Sequence, residues 1–173
     1  MVSSEQVYAD AWLSVRMDRV RRSDGSSGDY SVVDTADCSL VVPLDGDRVH
    51  LVEQYRYPVA GRRWEFPSGS TDESDIDASA VAARELREET GLVATALRLL
   101  GCLDTMPSTL SQQCRVFLAT GLTQVGPERE SDEQDMRSAW FTRSEVERLI
   151  SDGSISDAKS IAAYALLLLN DAA

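Results

Sequence analysis

The stretch RELREETGL, Arg84 to Leu92, sets five charged side chains in its first six residues and closes on a glycine and a leucine. Read as a helix, it places Glu85, Glu88 and Glu89 at i, i+3 and i+4, so three carboxylates share one face. Like charges at that spacing repel by roughly 0.2–0.5 kcal/mol per pair. Arg84 and Arg87 offset part of this repulsion. Such a face is either an ordinary solvated surface or the seat of a dication, and the surrounding sequence has to decide.

The spacing predicts a helix from about Asp77 to Thr90. Ser74 or Asp75 is the expected cap, and Asp77 falls in the first turn, where negative charge suits the helix dipole. Gly91 suits the left-handed position that ends the helix. Ala80, Val81, Ala83 and Leu86 supply apolar positions toward a core. A dication on the opposite face would turn the repulsion into attraction. Mg²⁺ takes oxygen ligands in an octahedron, commonly a few carboxylates plus water and substrate phosphate.

Outward from this helix the chain alternates strand-like and turn-like runs. AWLSVRMDRV carries apolar residues at Leu13, Val15 and Met17 and reads as a strand. RSDGSSGDY, residues 22–30, reads as a turn. YSVVDTADCSLVVPL, DGD and RVHLVEQYRYP read as strands around a tight turn. RRWEFPSGSTDESD is expected to be a loop leading into the helix, with GCLDTM and CRVFLATGL as strands after it, separated by the polar loop PSTLSQQ. RSAWF reads as a short strand. TRSEVERLISDG has a Thr cap, early Glu and a closing Gly, so it reads as a helix. SDAKSIAAYALLLLND reads as a second helix, apolar on nearly every face from Ile161 on and therefore expected to be buried. The sum is an α/β chain with a mixed sheet between helices. A small N-terminal antiparallel β region is expected over 1–36, ahead of the main domain over 37–173.

A length of 173 residues suits one domain by the usual prior, and a net charge of −12 disfavours nucleic-acid or anionic-membrane partners. Three scattered cysteines, Cys38, Cys102 and Cys114, read as small buried residues of a reducing compartment. The N-terminus has no basic and apolar signal pattern, and the run at 166–169 is too short to cross a bilayer, so the cytosol is the expected location. His50 is the sole histidine, sits in a strand-like run and is expected to be structural.

RELREETGL resembles the second half of the Nudix box, Gly-x5-Glu-x7-Arg-Glu-apolar-x-Glu-Glu-x-Gly-apolar, through Arg84, Glu85, Leu86, Glu88, Glu89, Gly91 and Leu92. Chance agreement at its five fixed letters is about 10⁻⁴ per chain at average composition. Gly69, in WEFPSG, stands for the box glycine. The family pattern sets the arginine 14 positions after that glycine; here the separation is 84 − 69 = 15, so the loop is one residue longer. Asp75 or Glu73 must then stand in for the first box glutamate. EQYRYP followed by RRWEFPSG, Pro107, and the tail from Glu145 resemble the ADP-ribose pyrophosphatase-like subgroup.

The resemblance implies a Nudix α/β/α sandwich and Mg²⁺-dependent hydrolysis, with Mn²⁺ as an alternative ion. The implied substrate is a nucleoside diphosphate sugar, ADP-ribose first, cleaved to AMP and ribose 5-phosphate. It implies metal ligation by Glu85, Glu88, Glu89 and the Ser68 carbonyl, with Arg84 and Glu88 in the catalytic set. Arg56 would contact substrate phosphate or ribose, Glu65 would hold the loop or assist a metal, and Gly69 would line the substrate. The proton-accepting base would come from the acidic loop ERESDEQD, with Glu133 first and Glu130 and Asp132 behind it; the length of that loop suits a lid. Trp12, Tyr8 and Trp64 are the candidates for stacking on the base. A homodimer is implied, with Trp12 or Arg16 reaching the partner's pocket. STLSQQ lacks the Gly and Glu that usually follow the subgroup proline, which keeps GDP-mannose or another sugar nucleotide as an alternative. A non-catalytic nucleotide-sugar sensor is the alternative outside the enzymes.

Overall fold

The N-terminal residues pair locally before anything else. The computed structural model describes residues 1–71, 77–128 and 135–171. In it β1 (Ser3–Ala9), β2 (Leu13–Arg21) and β3 (Ser27–Thr35) form a three-stranded sheet in that order, β1 and β3 each antiparallel to β2. The turn of residues 22–26 uses Gly25 at φ +84°, which glycine adopts without steric cost. β1 was not expected as an element: its residues are exposed along its whole length, so no apolar alternation marks it. The alternation read in β2 points the other way in part, since Met17 is exposed and Asp18 is buried beside Arg16 at 3.0 Å. Residues 104–113 belong to this unit. They hook onto β3 through Val33 N–H donating to the Thr109 carbonyl at 2.8 Å and Tyr30 Oη–H donating to the Ser108 carbonyl at 2.7 Å.

The second unit, Cys38–Leu103 with Cys114–Ala173, holds the main core. Its strands are β4 (Cys38–Asp45), β5 (Arg48–Arg56), β6 (Gly61–Glu65), β7 (Ser68–Ser70), β8 (Leu92–Asp104), β9 (Gln113–Gln124) and β10 (Arg137–Thr142). They form a mixed sheet of order β10-β5-β4-β9-β8, with β6 on β5 and β7 on β4. The β4–β9 pair is parallel, while β4–β5, β5–β6, β4–β7 and β10–β5 are antiparallel. β4 is buried on both faces from Cys38 to Pro43, as a central strand should be. Arg62–Glu65 of β6 and all of β7 were expected to be loop; neighbouring strands supply their hydrogen bonds, a tertiary effect that Pro/Gly/Ser composition hides. β8 also starts earlier than expected, directly after Gly91.

Three helices complete the unit among the described residues: α1 (Ala78–Thr90), α2 (Arg143–Ser151) and α3 (Ala158–Asp171). α2 has the predicted Thr142 cap, completed by Glu145 into a capping box. One core gathers Leu40, Val42, Leu51, Phe66, Val116 and Leu167; another sets Ala82, Leu86 and Leu92 against Val41 and Phe117. α3 is not buried on every side. Ala163, Tyr164 and Leu167 face the core, whereas Leu169 is 68% exposed. Of the cysteines, Cys38 and Cys114 are buried as expected but Cys102 is exposed, and all three are free thiols. His50 is buried with its ring 4.8 Å from Trp140, and desolvation lowers its pKa from 6.5 to about 4.

Candidate active site

α1 begins one step later than the sequence suggested. Asp77 is the cap, not a first-turn residue: its Oδ1 accepts from the Ser79 and Ala80 amides at 2.7 and 2.9 Å. The hydrogen bond from the Ser79 hydroxyl, then those two amides, hold its carboxyl below the usual range. Ser74 and Asp75, the expected caps, and Glu73 lie outside the described residues. Toward the core α1 presents Val81, Ala82 and Leu86; Ala80 and Ala83, expected there, are exposed. Gly91 ends the helix at φ +71°, its N–H donating to the Arg87 carbonyl.

The acidic face that results is partly inside the protein. Glu85 is 9% exposed and Glu89 only 1%, while Glu88 is half-buried. A solvated helix edge would not bury two carboxylates. α1 packs on β4 and β7, and Ser39 of β4 locks its start by donating its hydroxyl to the Ala78 carbonyl at 2.7 Å. Ser39 also lies opposite Gly69 in the β4–β7 pair. Gly69 is pressed so close to α1 that a Cβ there would lie 2.1 Å from Glu85 Oε1. The box glycine therefore leaves room for a carboxylate. Arg84 spans the face: it reaches Glu85 at 3.3 Å, Glu88 at 3.7 Å and the Ser70 carbonyl at 3.3 Å.

Among the described residues no three His, Cys, Asp or Glu side chains converge on a single point as a finished metal cage. The donor set nonetheless fits a hard dication. Glu85, Glu88 and Glu89 are carboxylates on one edge, Gly69 packs directly against Glu85, and Arg84 already pairs with Glu85 and Glu88.

Arg56, at the end of β5, faces Glu65, at the end of β6. Its Nη2 and Nε donate to the two Glu65 oxygens at 2.6 and 3.0 Å, a two-pronged pair with Glu65 buried. That hydrogen bond raises the Arg56 pKa, with further support from the charges of Glu65, Glu89 and Asp157. Arg56 thus belongs to the same electrostatic neighbourhood as Glu89. It also lines a cleft of about 390 Å³ with Arg63, Glu65, Ser156, Asp157 and Lys159. Sequence pattern gave no sign of Arg63, Asp157 or Lys159, because Arg63 lies far along the chain from the other two; the one signal was that Lys159 is the sole lysine of the chain.

The remaining candidates divide. Trp64 is edge-on to Phe141 at 4.8 Å and packs on the core, so it is not a stacking platform. Trp12, in the N-terminal unit, is 85% exposed. Arg16 of that unit binds Asp34 at 2.7 Å and Asp18 at 3.0 Å. Glu130, Asp132 and Glu133 lie outside the described residues. The chain enters that stretch at Glu128, which pairs with Arg87 at 2.6 Å and donates its N–H to the Glu88 carbonyl at 3.1 Å. It leaves at Asp135, which pairs with Arg62 at 2.7 Å.

The Nudix domain model matches residues 35–164. The chain belongs to the Nudix family. Its residues 1–33 match a second family model, the nucleoside diphosphate sugar hydrolase N-terminal domain. The Nudix chain is 37% identical over 163 residues to an ADP-ribose pyrophosphatase of Mycobacterium tuberculosis, covering 93% of this chain and 79% of that protein. It is 25% identical over 173 residues to an ADP-ribose pyrophosphatase of Bacillus subtilis, covering 99% and 93%. A solved ADP compounds hydrolase has the same fold, with a TM-score of 0.85, 21% identity, and coverage of 96% and 90%. As a Nudix protein with these relatives the chain is a hydrolase of pyrophosphate bonds. No helix among its described residues is long and apolar enough to cross a membrane.

Proposed function

We propose that this Nudix hydrolase cleaves the pyrophosphate of a nucleoside diphosphate sugar, ADP-ribose first, to AMP and ribose 5-phosphate, with Mg²⁺ as its ion and Mn²⁺ as an alternative. The observation that carries the reading is the half-sunk carboxylate edge of α1 against Gly69, with the Arg56 fork nearby. The match of residues 1–33 to a nucleoside diphosphate sugar hydrolase region and the likeness to ADP-ribose pyrophosphatases support the substrate class.

Glu85, Glu88, Glu89 and the Ser68 carbonyl would hold the ion. When bound, a dication neutralises diphosphate charge, polarises a P–O bond and lowers the pKa of a water. Arg84 sets the orientation of Glu85 and Glu88. Glu65 takes the Nε and Nη2 edge of Arg56 and so fixes the guanidinium, which offers its remaining N–H groups to phosphate oxygens. The proton of the attacking water passes to a carboxylate of residues 128–135, Glu133 first, with Glu130 and Asp132 as alternatives. Anchoring of Glu128 on the Glu88 carbonyl supports that choice of segment. We assign residues 1–36 and 37–173 as the two regions of the chain, and a homodimer in which Trp12 or Arg16 completes the partner's pocket. The exposure of Val7, Tyr8 and Trp12 supports an interface there. Three free thiols support a reducing cytoplasm as the location.

The test is a panel of nucleotide sugars, ADP-ribose and GDP-mannose included, incubated with Mg²⁺ or Mn²⁺ and resolved by product chromatography. ADP-ribose should be converted to AMP and ribose 5-phosphate, and EDTA should stop the reaction. Conversion of GDP-mannose alone would move the substrate to the alternative that STLSQQ favours. Tight binding with no turnover of any member would make the chain a sensor.

A further inference from the structure

The cleft beside Arg56 has more cation in it than the hydrolytic site uses. Arg56, Arg63 and Lys159 stand against two carboxylates, Glu65 and Asp157. Both carboxylates already have hydrogen-bond partners. Glu65 takes the Arg56 fork, and Asp157 Oδ2 accepts from the Ser160 amide and hydroxyl at 2.9 and 2.8 Å. Arg63 donates only to neutral oxygens, Ser156 Oγ at 2.9 Å and the Arg62 carbonyl at 2.8 Å. Among the described residues neither Arg63 nor Lys159 has a carboxylate at ion-pair distance. Three cations face two carboxylates here, so in a chain with 29 acidic and 17 basic residues this one concavity carries a cationic excess, against the sign of the global charge.

Geometry adds to charge. Ala158 and Lys159 open the 14-residue helix α3, so its positive end meets the same cleft. The volume, about 390 Å³, is near the small end of ligand sites and suits a sugar phosphate better than a dinucleotide. We propose that Arg63 and Lys159, with Arg56, form a binding site for the phosphate group of a sugar phosphate. The choice of a sugar phosphate as ligand rests on the hydrolase reading above, because that reaction releases one; the site itself rests on the cleft.

Lys159 makes the site testable, since it is the only lysine. Ribose 5-phosphate is titrated calorimetrically into the full chain, with ribose as the uncharged control. In parallel, reductive methylation of Lys159 is followed by peptide mass. Ribose 5-phosphate should bind and protect Lys159, ribose should do neither, and Lys159→Met and Arg63→Gln should each weaken binding roughly tenfold or more, the loss of one charged hydrogen bond. Unchanged melting curves would show both variants folded. Binding of ribose 5-phosphate that neither substitution weakens, or no binding at all, overturns the proposal even if nucleotide sugars are cleaved. Binding that depends on Lys159 and Arg63 upholds the site even if no nucleotide sugar is cleaved, and that second result would sink the hydrolase reading alone.

Discussion

Glu89 is the residue on which the chemistry turns, because it is the most deeply buried carboxylate of the α1 edge. Glu89→Gln keeps its shape and removes its charge. Turnover should fall roughly 10²–10³-fold, the scale expected when a ligand to a catalytic ion is lost. The melting temperature without metal should change far less than turnover does, since glutamine keeps the shape and the main loss is the attraction between Glu89 and Arg56. Steady-state kinetics and a thermal melt on one preparation check both halves. Gly69→Ala tests the cradle. Its Cβ would overlap Glu85 Oε1, so the strand or the carboxylate must move, at about 1–3 kcal/mol. Activity should suffer more than stability. His50 gives a pH prediction. Its pKa falls from 6.5 to about 4 on folding, so the unfolded chain binds the proton first. The native state is unpenalised above pH 6.5 and loses up to ~3 kcal/mol as pH falls from 6.5 to 4. Denaturant melts of His50→Leu should lack that part of the acid-side decline.

At the scale of elements, α1 depends on its stop signal and its apolar stripe. Gly91→Ala would put a β-carbon at φ +71° and 2.3 Å from the Gly126 carbonyl carbon, and should cost roughly 1–3 kcal/mol in a denaturant titration. Leu86→Ala should cost about 2–5 kcal/mol by opening a cavity against Val41 and Phe117. The elements with local signals were legible in the sequence: α1 through Gly91, α2 through Thr142 and Glu145, and the β4–β5 hairpin through Asp45–Asp47. Elements that borrow their stability from neighbours were not. β6 and β7 look like loop until β5 and β4 supply hydrogen-bond partners. β1, exposed on both sides, has no buried face to write into its residues. Ser74, Asp75 and Asp77 are all cap-type residues by sequence, and the cap is Asp77, whose carboxylate accepts from the Ser79 and Ala80 amides.

At the scale of the molecule, metal removal separates function from fold. The two hydrophobic clusters contain none of the α1 glutamates, so EDTA should abolish hydrolysis and leave the melting temperature within roughly a few degrees of that of the Mg²⁺-loaded chain. A large drop would mean that the ion is structural. By itself the sequence determined the chemical class of the site. Spacing along one helix is a local property, and Glu85, Glu88 and Glu89 share a face wherever that helix is placed. The tertiary structure decided what that face means, because burial is not a local property. It sank Glu85 and Glu89, brought Gly69 against Glu85, and turned Trp64 inward to Phe141. It also joined Arg56 to Arg63 and Lys159 across a cleft whose walls come from β5, β6 and the start of α3. No periodicity encodes that meeting, since it arises only when the strands and the helix close around a common core.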